Sequence, residues 1–528
     1  MRRRIVLLCA ALSLAAGATL SAQRPVLPGE RAGAQENGRS DSTGVPAIEK
    51  ASTSTHTVTI GGQSFSYTAH AGTMVVRDDE GRPKGSVFYI AYTRDKEEAA
   101  TRPVTFFFNG GPGSASIWLD MGLMAPRHPE MGPNGSQPAP PYDLVDNSYS
   151  PLDATDLVQV DAMMTGYSRP APGVKVADFT GATNDIKMFG QFIRNYLDKY
   201  NRWASPKYLF GESYGTFRSA GLASELQSDE GIELNGIMLL GTVLDFQNIL
   251  TAPTNDLSYE CFLPTYTATA WYHKKLSPDL QRLSLPQVVQ QARTFAFGDY
   301  MAALAKGNTL SQAERSSVAQ QVARLTGVSA SYVMNTNLRV DPGTFRTELL
   351  RGDRETVGRY DSRMIGRNGN AASQRQDYDP SDVAPSGAFM SAFMRYLHGD
   401  LGYTSDLQYY MGGHAGHWDY SSLTGAGNLG GGYPSETESL RTAMAKNPYL
   451  RVMVGAGYYD MATPFANAEY TFNHLGYDQT YRDRVEFKYY ESGHMAYLNQ
   501  DSARQLKSDI VNFIRGTAHP SNLTVSAK

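Results

Sequence analysis

A short apolar stretch that leads directly into a Gly-x-Ser-x-Gly pattern constrains this chain more than any other feature. Residues 207–210 read KYLF, as a buried strand does, and the pentapeptide Gly211-Glu212-Ser213-Tyr214-Gly215 follows at once. The segment after it, YGTFRSAGLASELQ, favours a helix. The pentapeptide alone is weak evidence, because it fixes three positions in a chain with 50 glycines. A strand, a tight turn with serine at its tip and a helix together have the form of a nucleophile elbow.

Strand and helix patterns alternate on both sides of this turn. Apolar runs typical of core strands occur at PVTFFF, DLVQV, NGIMLL, YLRVMV and RVEFKY, and helical spacing occurs at IKMFGQFIRNYLDKY and SARQLKSDIVNFIRG. Shorter alternating runs between residues 56 and 93 predict antiparallel strands at the start of the sheet. The chain is therefore predicted to be α/β, with a central, mostly parallel sheet covered on both faces.

The predicted domain boundaries follow from changes in composition. Residues 1–22 contain three arginines, an apolar run and small residues, the plan of a secretory signal peptide cleaved after Ala22 or Ala18. Residues 23–55 are predicted to be a disordered linker and residues 56–516 the folded domain, with a tail at 517–528. Between about 250 and 375 helical periodicity prevails, which predicts a helical cap inserted over the sheet. The protein is expected to be exported, periplasmic or extracellular, without stable insertion in the membrane.

Charge and cysteine content exclude some classes of partner and bond. The formal net charge is −4, from 48 basic and 52 acidic residues, so nucleic acid is not an expected partner. Cys9 lies in the signal segment, and the remaining Cys261 can form no internal disulfide. We expect Cys261 to be a buried apolar residue. The sequence gives no indication of the oligomeric state.

A nucleophilic serine requires a base, a carboxylate to orient it and donors for the oxyanion. Asp460, in VMVGAGYYDMATP, and His494, in VEFKYYESGHMAY, each follow a late strand, in the order that an elbow serine requires. Asp361 and Asp483 are weaker candidates for the acid, because neither follows a strand so closely. The backbone N–H groups of Tyr214 and of Gly111, in the glycine-rich NGGPG turn, are the predicted oxyanion donors.

Together, NGGPGSAS, GESYGT, GYYDMATP and SGHM resemble the serine carboxypeptidases, the S10 peptidases of the α/β-hydrolase superfamily. The resemblance extends from about residue 60 to 516. It implies an α/β-hydrolase fold, peptide substrates, no cofactor, and the triad Ser213, Asp460 and His494. It also implies that Asn109 and Glu212 bind the terminal carboxylate of the substrate, which requires Glu212 to be protonated.

Two departures from the family pattern bear on this carboxylate site. Ser114 stands where the family has cysteine, and the second acidic residue of the family aligns with Leu123. Asp120 and Arg127 lie close to that position in the sequence, and Arg127 could pair with a carboxylate. Asn109 and Glu212 could also merely brace their loops. A secreted serine esterase or acyltransferase with the same triad, and a non-catalytic binding protein on this fold, therefore remain alternatives.

One further segment suggests a metal site. GGHAGHWDY places His414 and His417 near Asp419, but it contains no further strong ligand and is rich in glycine. A surface or substrate-lining loop is the favoured interpretation, and no metal is expected.

Overall fold

A ten-stranded sheet forms the centre of the structure, a computed structural model that describes residues 44–420, 432–476 and 478–518. The strands of this sheet are β1 (Ala51–Ile60), β2 (Gln63–Arg77), β3 (Pro83–Arg94), β4 (Val104–Phe108), β7 (Asp156–Val160), β8 (Arg169–Pro170), β9 (Lys207–Glu212), β10 (Gly236–Leu240), β13 (Arg451–Gly457) and β14 (Val485–Tyr490). Two short pairs lie apart from it: β5 (Arg127–Pro129) with β6 (Leu144–Asp146), and β11 (Thr356–Val357) with β12 (Ile365–Gly366).

The sheet is antiparallel at one end and parallel through the rest. Its strand order is β1-β2-β3-β7-β4-β9-β10-β13-β14, with β8 paired to β3. The first three strands and β7 pair antiparallel, whereas β7 through β14 in this order pair parallel. The carboxyl ends of the parallel strands therefore share one edge, where active sites of open α/β sheets lie. This topology confirms the predicted α/β-hydrolase fold.

Helices cover both faces of the sheet. They are α1 (Ile117–Leu119), α2 (Ala182–Lys199), α3 (Tyr214–Ser228), α4 (Leu257–Tyr272), α5 (Pro278–Gln281), α6 (Leu285–Phe295), α7 (Met301–Lys306), α8 (Gln312–Thr326), α9 (Ala330–Asn335), α10 (Pro342–Glu348), α11 (Pro380–Arg395), α12 (Thr437–Lys446), α13 (Phe465–Asn473), α14 (Gln479–Arg482) and α15 (Gln500–Thr517). The first of these, α1, continues into a π-helical turn at Asp120–Met124.

Strand β4 shows how the sequence fills two cores. Phe106 and Phe108 pack into the core beneath α2, α3 and α12, while Phe107 between them packs into the core beneath α11 and α15. Successive residues of a strand point to opposite faces, so a continuous apolar run is required where both faces are covered. This is why PVTFFF shows no alternation of apolar and polar residues.

Between β10 and β13 the chain leaves the sheet and forms α4 to α12. Helices α4 to α10 share a core of their own, which also includes Tyr459, Met461 and Phe465 from the segment after β13. This is the region for which the sequence predicts a helical cap. Cys261 lies in α4, is fully buried and forms no disulfide.

The predicted linker extends too far along the chain. Residues 51–55 belong to β1, which pairs with β2 from Ala51↔Gly72 onward, and the N–H of Val45 already donates to the carbonyl of Pro170. Alternating Ser and Thr in ASTSTHTV form a strand because β2 supplies its hydrogen bonds, a tertiary contact that composition does not show. The predicted signal peptide, residues 23–43 of the linker and residues 519–528 of the tail lie outside the described residues. In the described part of the chain, no helix is long and apolar enough to cross a membrane.

Candidate active site

Ser213 lies at the tip of a sharp turn between β9 and α3. Its backbone has φ 60° and ψ −130°, a conformation that L-residues rarely adopt and that is often found at functional sites. Its N–H donates to Leu240 (3.0 Å) on the neighbouring strand, and its carbonyl accepts from Thr216 (2.8 Å). A Cβ at Gly211 would overlap the carbonyl of Gly215, so only glycine at this position allows so tight a turn. Ser213 itself is only half-buried, whereas the residues on either side are buried.

Asp460 and His494 form a buried hydrogen-bonded pair at the same edge of the sheet. Nδ1 of His494 lies 2.7 Å from Oδ2 of Asp460. Asp460 also accepts from the N–H groups of Ala462 (2.7 Å) and Thr463 (2.9 Å) through Oδ1, and from the Thr463 hydroxyl (2.7 Å) through Oδ2. These donors fix the carboxylate, which in turn makes Nδ1 the protonated nitrogen of a neutral imidazole.

His494 is held between Tyr360 on one side and Gly241 on the other. The N–H of His494 donates to the carbonyl of Tyr360 (2.5 Å), and the two rings lie 5.4 Å apart. Gly241, directly after β10, has φ +61°, and a Cβ there would lie 2.7 Å from Nδ1 and Cε1 of His494. Nε2 of His494 is buried and has no hydrogen-bond partner among the described residues, so it is available as a base.

Electrostatics at His494 favour the protonated imidazole. Burial opposes the charged form, but the charge of Asp460 and its hydrogen bond outweigh it, and the pKa of His494 is raised. An imidazole with a raised pKa is a stronger base for a serine hydroxyl, provided that the pH leaves it neutral beforehand.

The two weaker candidates for the acid are engaged elsewhere. Asp361 pairs with Arg363 (2.6 Å), whose side chain also donates to the carbonyl of Glu491. Asp483 is exposed at the end of α14 and accepts from Gln479. Asp460 is therefore the carboxylate that meets the histidine.

The NGGPG turn lies directly against the serine turn. A Cβ at Gly110 would overlap the backbone nitrogen of Tyr214, so only glycine allows the two loops to come this close. Gly111 has φ +101°, again a conformation suited to glycine. Among the described residues, the N–H groups of Gly111 and Tyr214 donate to no other group. Both predicted oxyanion donors are thus unengaged, one in each of the two touching loops.

Asn109 and Glu212 meet beside the serine, where the sequence places them together. Nδ2 of Asn109 donates to Oε1 of Glu212 (2.9 Å), and Oδ1 of Asn109 accepts from the N–H of Leu119 (2.9 Å). Glu212 is fully buried, and burial raises its pKa to about 7, against the opposing effect of His494. Oε2 of Glu212 is buried, and a hydrogen bond between this carboxyl and the hydroxyl of Tyr497 also opposes the rise in the pKa of Glu212.

Buried charged residues that sequence reasoning missed hold the NGGPG turn from behind. Arg218 on α3 pairs with Asp185 on α2 (2.6 Å) and donates to the carbonyl of Asn109 (2.8 Å). Asp161, directly after β7, accepts from the N–H of Ser116 (2.7 Å). Charged residues within strong helix or strand patterns are the one signal that could have identified them.

The position of the missing second acid is apolar, and neither neighbour in the sequence replaces it. Leu123 is fully buried in the π-helical turn. Arg127 lies on β5 next to Asp146 (3.4 Å) and donates to the carbonyl of Leu144 (2.7 Å), so the proposed pairing of Arg127 with a substrate carboxylate has no support here. Asp120 accepts from Tyr92 (3.2 Å), and burial raises its pKa well above the ordinary range.

The histidine-containing loop packs against the NGGPG turn and the serine turn. Gly412 forms a β-bridge with Ser114, the ring of His414 stacks on Tyr410 (3.6 Å), and Trp418 lies against Tyr214 (5.5 Å). In the described part of the chain, no group of three or more His, Cys, Asp or Glu side chains could hold a metal ion. The contacts are those of a loop that borders the site.

A family model described as serine carboxypeptidase matches residues 61–519. A carboxypeptidase Y homolog from Arthroderma benhamiae is 32% identical over 130 residues, which are 24% of this chain and 23% of that protein. The matched segment thus spans about a quarter of the relative.

Solved structures are similar only at a distance. A proline iminopeptidase from Mycobacterium smegmatis is 12% identical with a TM-score of 0.35, over 85% of this chain and 98% of its own. A thermostable carboxyl esterase from Bacillus coagulans gives the same four values. Neither likeness bears on activity. The family match covers most of the chain and includes the serine turn, the acid and the histidine: the chain belongs to the serine carboxypeptidase family.

Proposed function

We propose that this protein is a serine carboxypeptidase that releases C-terminal amino acids from peptides through an acyl-enzyme on Ser213. The observation that carries the proposal is the Glu212 carboxyl, which is buried beside the nucleophile, held by Asn109 and mainly neutral below about pH 7. A neutral carboxyl at this place can donate a hydrogen bond to a carboxylate, whereas an ionised one would repel it.

The proposed course of reaction uses only residues of this chain. Nε2 of His494 takes the proton of Ser213 as the serine oxygen attacks the carbonyl of the last peptide bond. The N–H groups of Gly111 and Tyr214 stabilise the oxyanion. The C–N bond then breaks, His494 gives the proton to the departing amine, and an acyl-enzyme remains. Water attacks the ester with His494 again as base, and Ser213 recovers its proton when the shortened peptide leaves.

A serine esterase or acyltransferase with the same triad is the second candidate. The observation that favours it is Leu123, a buried apolar residue where the family has its second carboxylate-binding acid. Substrates without a free carboxylate would not need that acid. A non-catalytic binding protein is the third alternative, and labelling of Ser213 by a fluorophosphonate would exclude it.

The test compares a blocked peptide, its C-terminal amide and a blocked amino-acid ester between pH 4.5 and 8.5, with Ser213→Ala as the inactive control. We expect single residues to be lost from the free peptide only, as measured by mass spectrometry. Because Glu212 loses its proton as the pH rises through about 7, the ratio of peptide to ester turnover should fall above that pH. Ser213-dependent ester cleavage with the peptides left intact would establish the second candidate instead.

The matched variant for the pH effect is Glu212→Gln. Glutamine retains a donor to the carboxylate but cannot ionise. The ratio of peptide to ester turnover should therefore become independent of pH in the same range. A ratio that still falls above pH 7 in this variant would show that a different group recognises the carboxylate.

A further inference from the structure

Asp161, the first residue after β7, is fully buried and rigidly held. Its N–H donates to the carbonyl of Phe88 on β3 (3.0 Å), and its carbonyl accepts from the hydroxyl of Ser168 (2.8 Å). A Cβ at Gly166 would lie 1.8 Å from Oδ2 of Asp161, so the side chain is also closely surrounded. The carboxyl group is thus fixed in place by the central sheet.

The Oδ1 atom of Asp161 holds the base of the NGGPG turn. It accepts from the N–H of Ser116 (2.7 Å), and the hydroxyl of Ser116 accepts in turn from the N–H of Asn109 (3.3 Å). Both ends of the turn therefore meet at Ser116, which is bound to Asp161. Gly111, whose N–H is a proposed oxyanion donor, lies between these two ends.

The Oδ2 atom of Asp161 accepts from a different segment, residues 409–411, which leads into the histidine-containing loop. The hydroxyl of Tyr409, a residue that is 4% exposed, donates to Oδ2 (3.0 Å). The carbonyl of Met411 accepts from the N–H of Ala115 (3.0 Å), so this segment also runs beside the end of the turn. One carboxyl group therefore joins the turn that carries an oxyanion donor to the loop that borders the site.

An ionised carboxylate is the form that suits these contacts. Burial raises the pKa of Asp161 to about 6, and the hydrogen bonds from Ser116, Tyr409 and Gln159 oppose a larger rise. Asp161 is therefore mainly ionised at neutral pH and accepts at both oxygens. Without it, the buried N–H of Ser116 and the buried hydroxyl of Tyr409 would lose their acceptor, and the turn would have to shift to find another.

We propose that Asp161 is a positioning residue, which through Ser116 and Tyr409 keeps the N–H of Gly111 directed at the oxyanion. Its carboxyl group acts only through the segments that it holds. This inference rests on the proposed function, because that function assigns the oxyanion to Gly111 and Tyr214. An oxyanion donor stabilises the transition state more than the bound substrate, so its displacement lowers kcat and leaves KM nearly unchanged.

The test compares two substitutions at this position. Asp161→Ala removes both acceptors. Asp161→Asn keeps an oxygen that accepts from the N–H of Ser116, and its amide N–H can donate to the hydroxyl oxygen of Tyr409. Should Asp161→Ala fail to fold, Asp161→Leu takes its place, because leucine fills the space without supplying an acceptor.

The matched control is Asp156→Asn. Asp156 is an equally buried carboxylate at the opposite end of β7, where it pairs with Arg102 (2.8 Å) and Arg202 (2.7 Å). Values of kcat and KM are measured at pH 8 for a blocked peptide and a blocked ester, and kcat is expressed per Ser213 labelled to completion by a fluorophosphonate. Melting temperatures show how much stability each variant loses.

We expect Asp161→Ala to lower kcat on both substrates about 10²-fold, as the loss of an oxyanion donor does, with KM within about twofold of the wild type. Asp161→Asn should retain kcat within about fivefold, since its amide oxygen still accepts from Ser116. Asp156→Asn should lose stability, because two buried arginines lose a charged partner, but should keep the kcat of the wild type.

Three results would overturn the inference. An unchanged kcat per labelled site in Asp161→Ala, with only a lower melting temperature, would reduce Asp161 to a structural role. A loss mainly in KM would make it part of the substrate-binding surface, and an equal loss in Asp161→Asn would mean that its charge, not its hydrogen bonds, is what matters. If the wild type shows no Ser213-dependent turnover of either substrate, the proposed function fails before any variant is compared.

Discussion

The two oxygen atoms of Asp460 accept hydrogen bonds from different groups. Oδ1 takes two backbone N–H groups, from Ala462 and Thr463, and Oδ2 faces Nδ1 of His494. In Asp460→Asn the amide oxygen must occupy the position of Oδ1, because only an oxygen can accept from those N–H groups. The amide nitrogen then faces Nδ1, which must become an acceptor. His494 would carry its proton on Nε2 and could not take the proton of Ser213.

We therefore expect Asp460→Asn to reduce kcat on an ester substrate by about 10³- to 10⁴-fold, as the wrong tautomer does in other triads. The measurement is initial-rate kinetics with a chromogenic ester, and the control is Asp483→Asn, which removes an exposed carboxylate at the end of α14. A loss of less than about tenfold, with the fold intact, would mean that another group orients His494.

The loop after β10 contributes no functional side chain to the site, but it leaves room for the ring of His494. Gly241 at its start has φ +61°, and the Cβ of an alanine would lie 2.7 Å from the His494 ring, too close for van der Waals contact. In Gly241→Ala the ring must move, and a displacement of about 1 Å can cost 10²-fold in rate. We expect kcat to fall at least tenfold.

A glycine elsewhere separates this effect from backbone strain. Gly402 has φ +66° and nothing within 4 Å of an added Cβ, so Gly402→Ala introduces similar strain without a collision. Both variants should lose about 1–2 kcal/mol of unfolding free energy from the left-handed backbone, but only Gly241→Ala should lose activity. Equal activity of the two proteins would show that His494 is not confined by this loop.

Strands and helices near the serine could be predicted because each has a local signal. The continuous run PVTFFF, the turn at Gly211–Gly215 and the apolar face of α15 each determine their own element. The meeting of Asp460 with His494 could be predicted for a related reason: Ser213, Asp460 and His494 each follow a strand, and parallel strands bring their carboxyl ends together.

Other features depend on contacts between distant segments, which periodicity does not reveal. Strand β1 is polar and exists through its pairing with β2. Arg218 on α3 and Asp185 on α2 support the NGGPG turn together, a contact that joins two helices to a loop. Tyr497 meets Glu212 only because β9 and β14 belong to one sheet. A polar residue in such a place looks like any other until its partner is known.

Several carboxyl groups are buried throughout the molecule and have raised pKa values. Burial is the largest cause in each case, and these groups are Asp120, Asp161, Asp185, Glu212, Glu260 and Glu436. A carboxyl with a raised pKa binds a proton in the folded state at a pH where the unfolded chain has lost it. Its contribution to stability is complete below the unfolded pKa, about 4.5 for Glu, and is lost as the pH rises through the folded value.

Glu436 is suited to a test because it lies outside the active site. It precedes α12, Oε1 has no hydrogen-bond partner among the described residues, and burial raises its pKa from 4.5 to about 7. At about 1.36 kcal/mol for each pKa unit, this shift corresponds to about 3 kcal/mol of unfolding free energy lost between pH 4.5 and pH 8. Glu436→Gln cannot ionise and should not show that part of the decrease.

The measurement is urea denaturation of the wild type and of Glu436→Gln at pH 5 and pH 8. We expect the wild type to have a larger unfolding free energy at pH 5 than at pH 8. In the variant this difference should be smaller by 2–3 kcal/mol, on the order of the shift above. His128, whose pKa burial lowers to about 4, acts in the opposite direction but is common to both proteins and cancels. Glu438→Gln, at an exposed position on the same helix, should leave the difference unchanged. If the wild type and Glu436→Gln lost the same free energy between the two pH values, Glu436 would have to be ionised in the folded protein, with a cation or solvent reaching it.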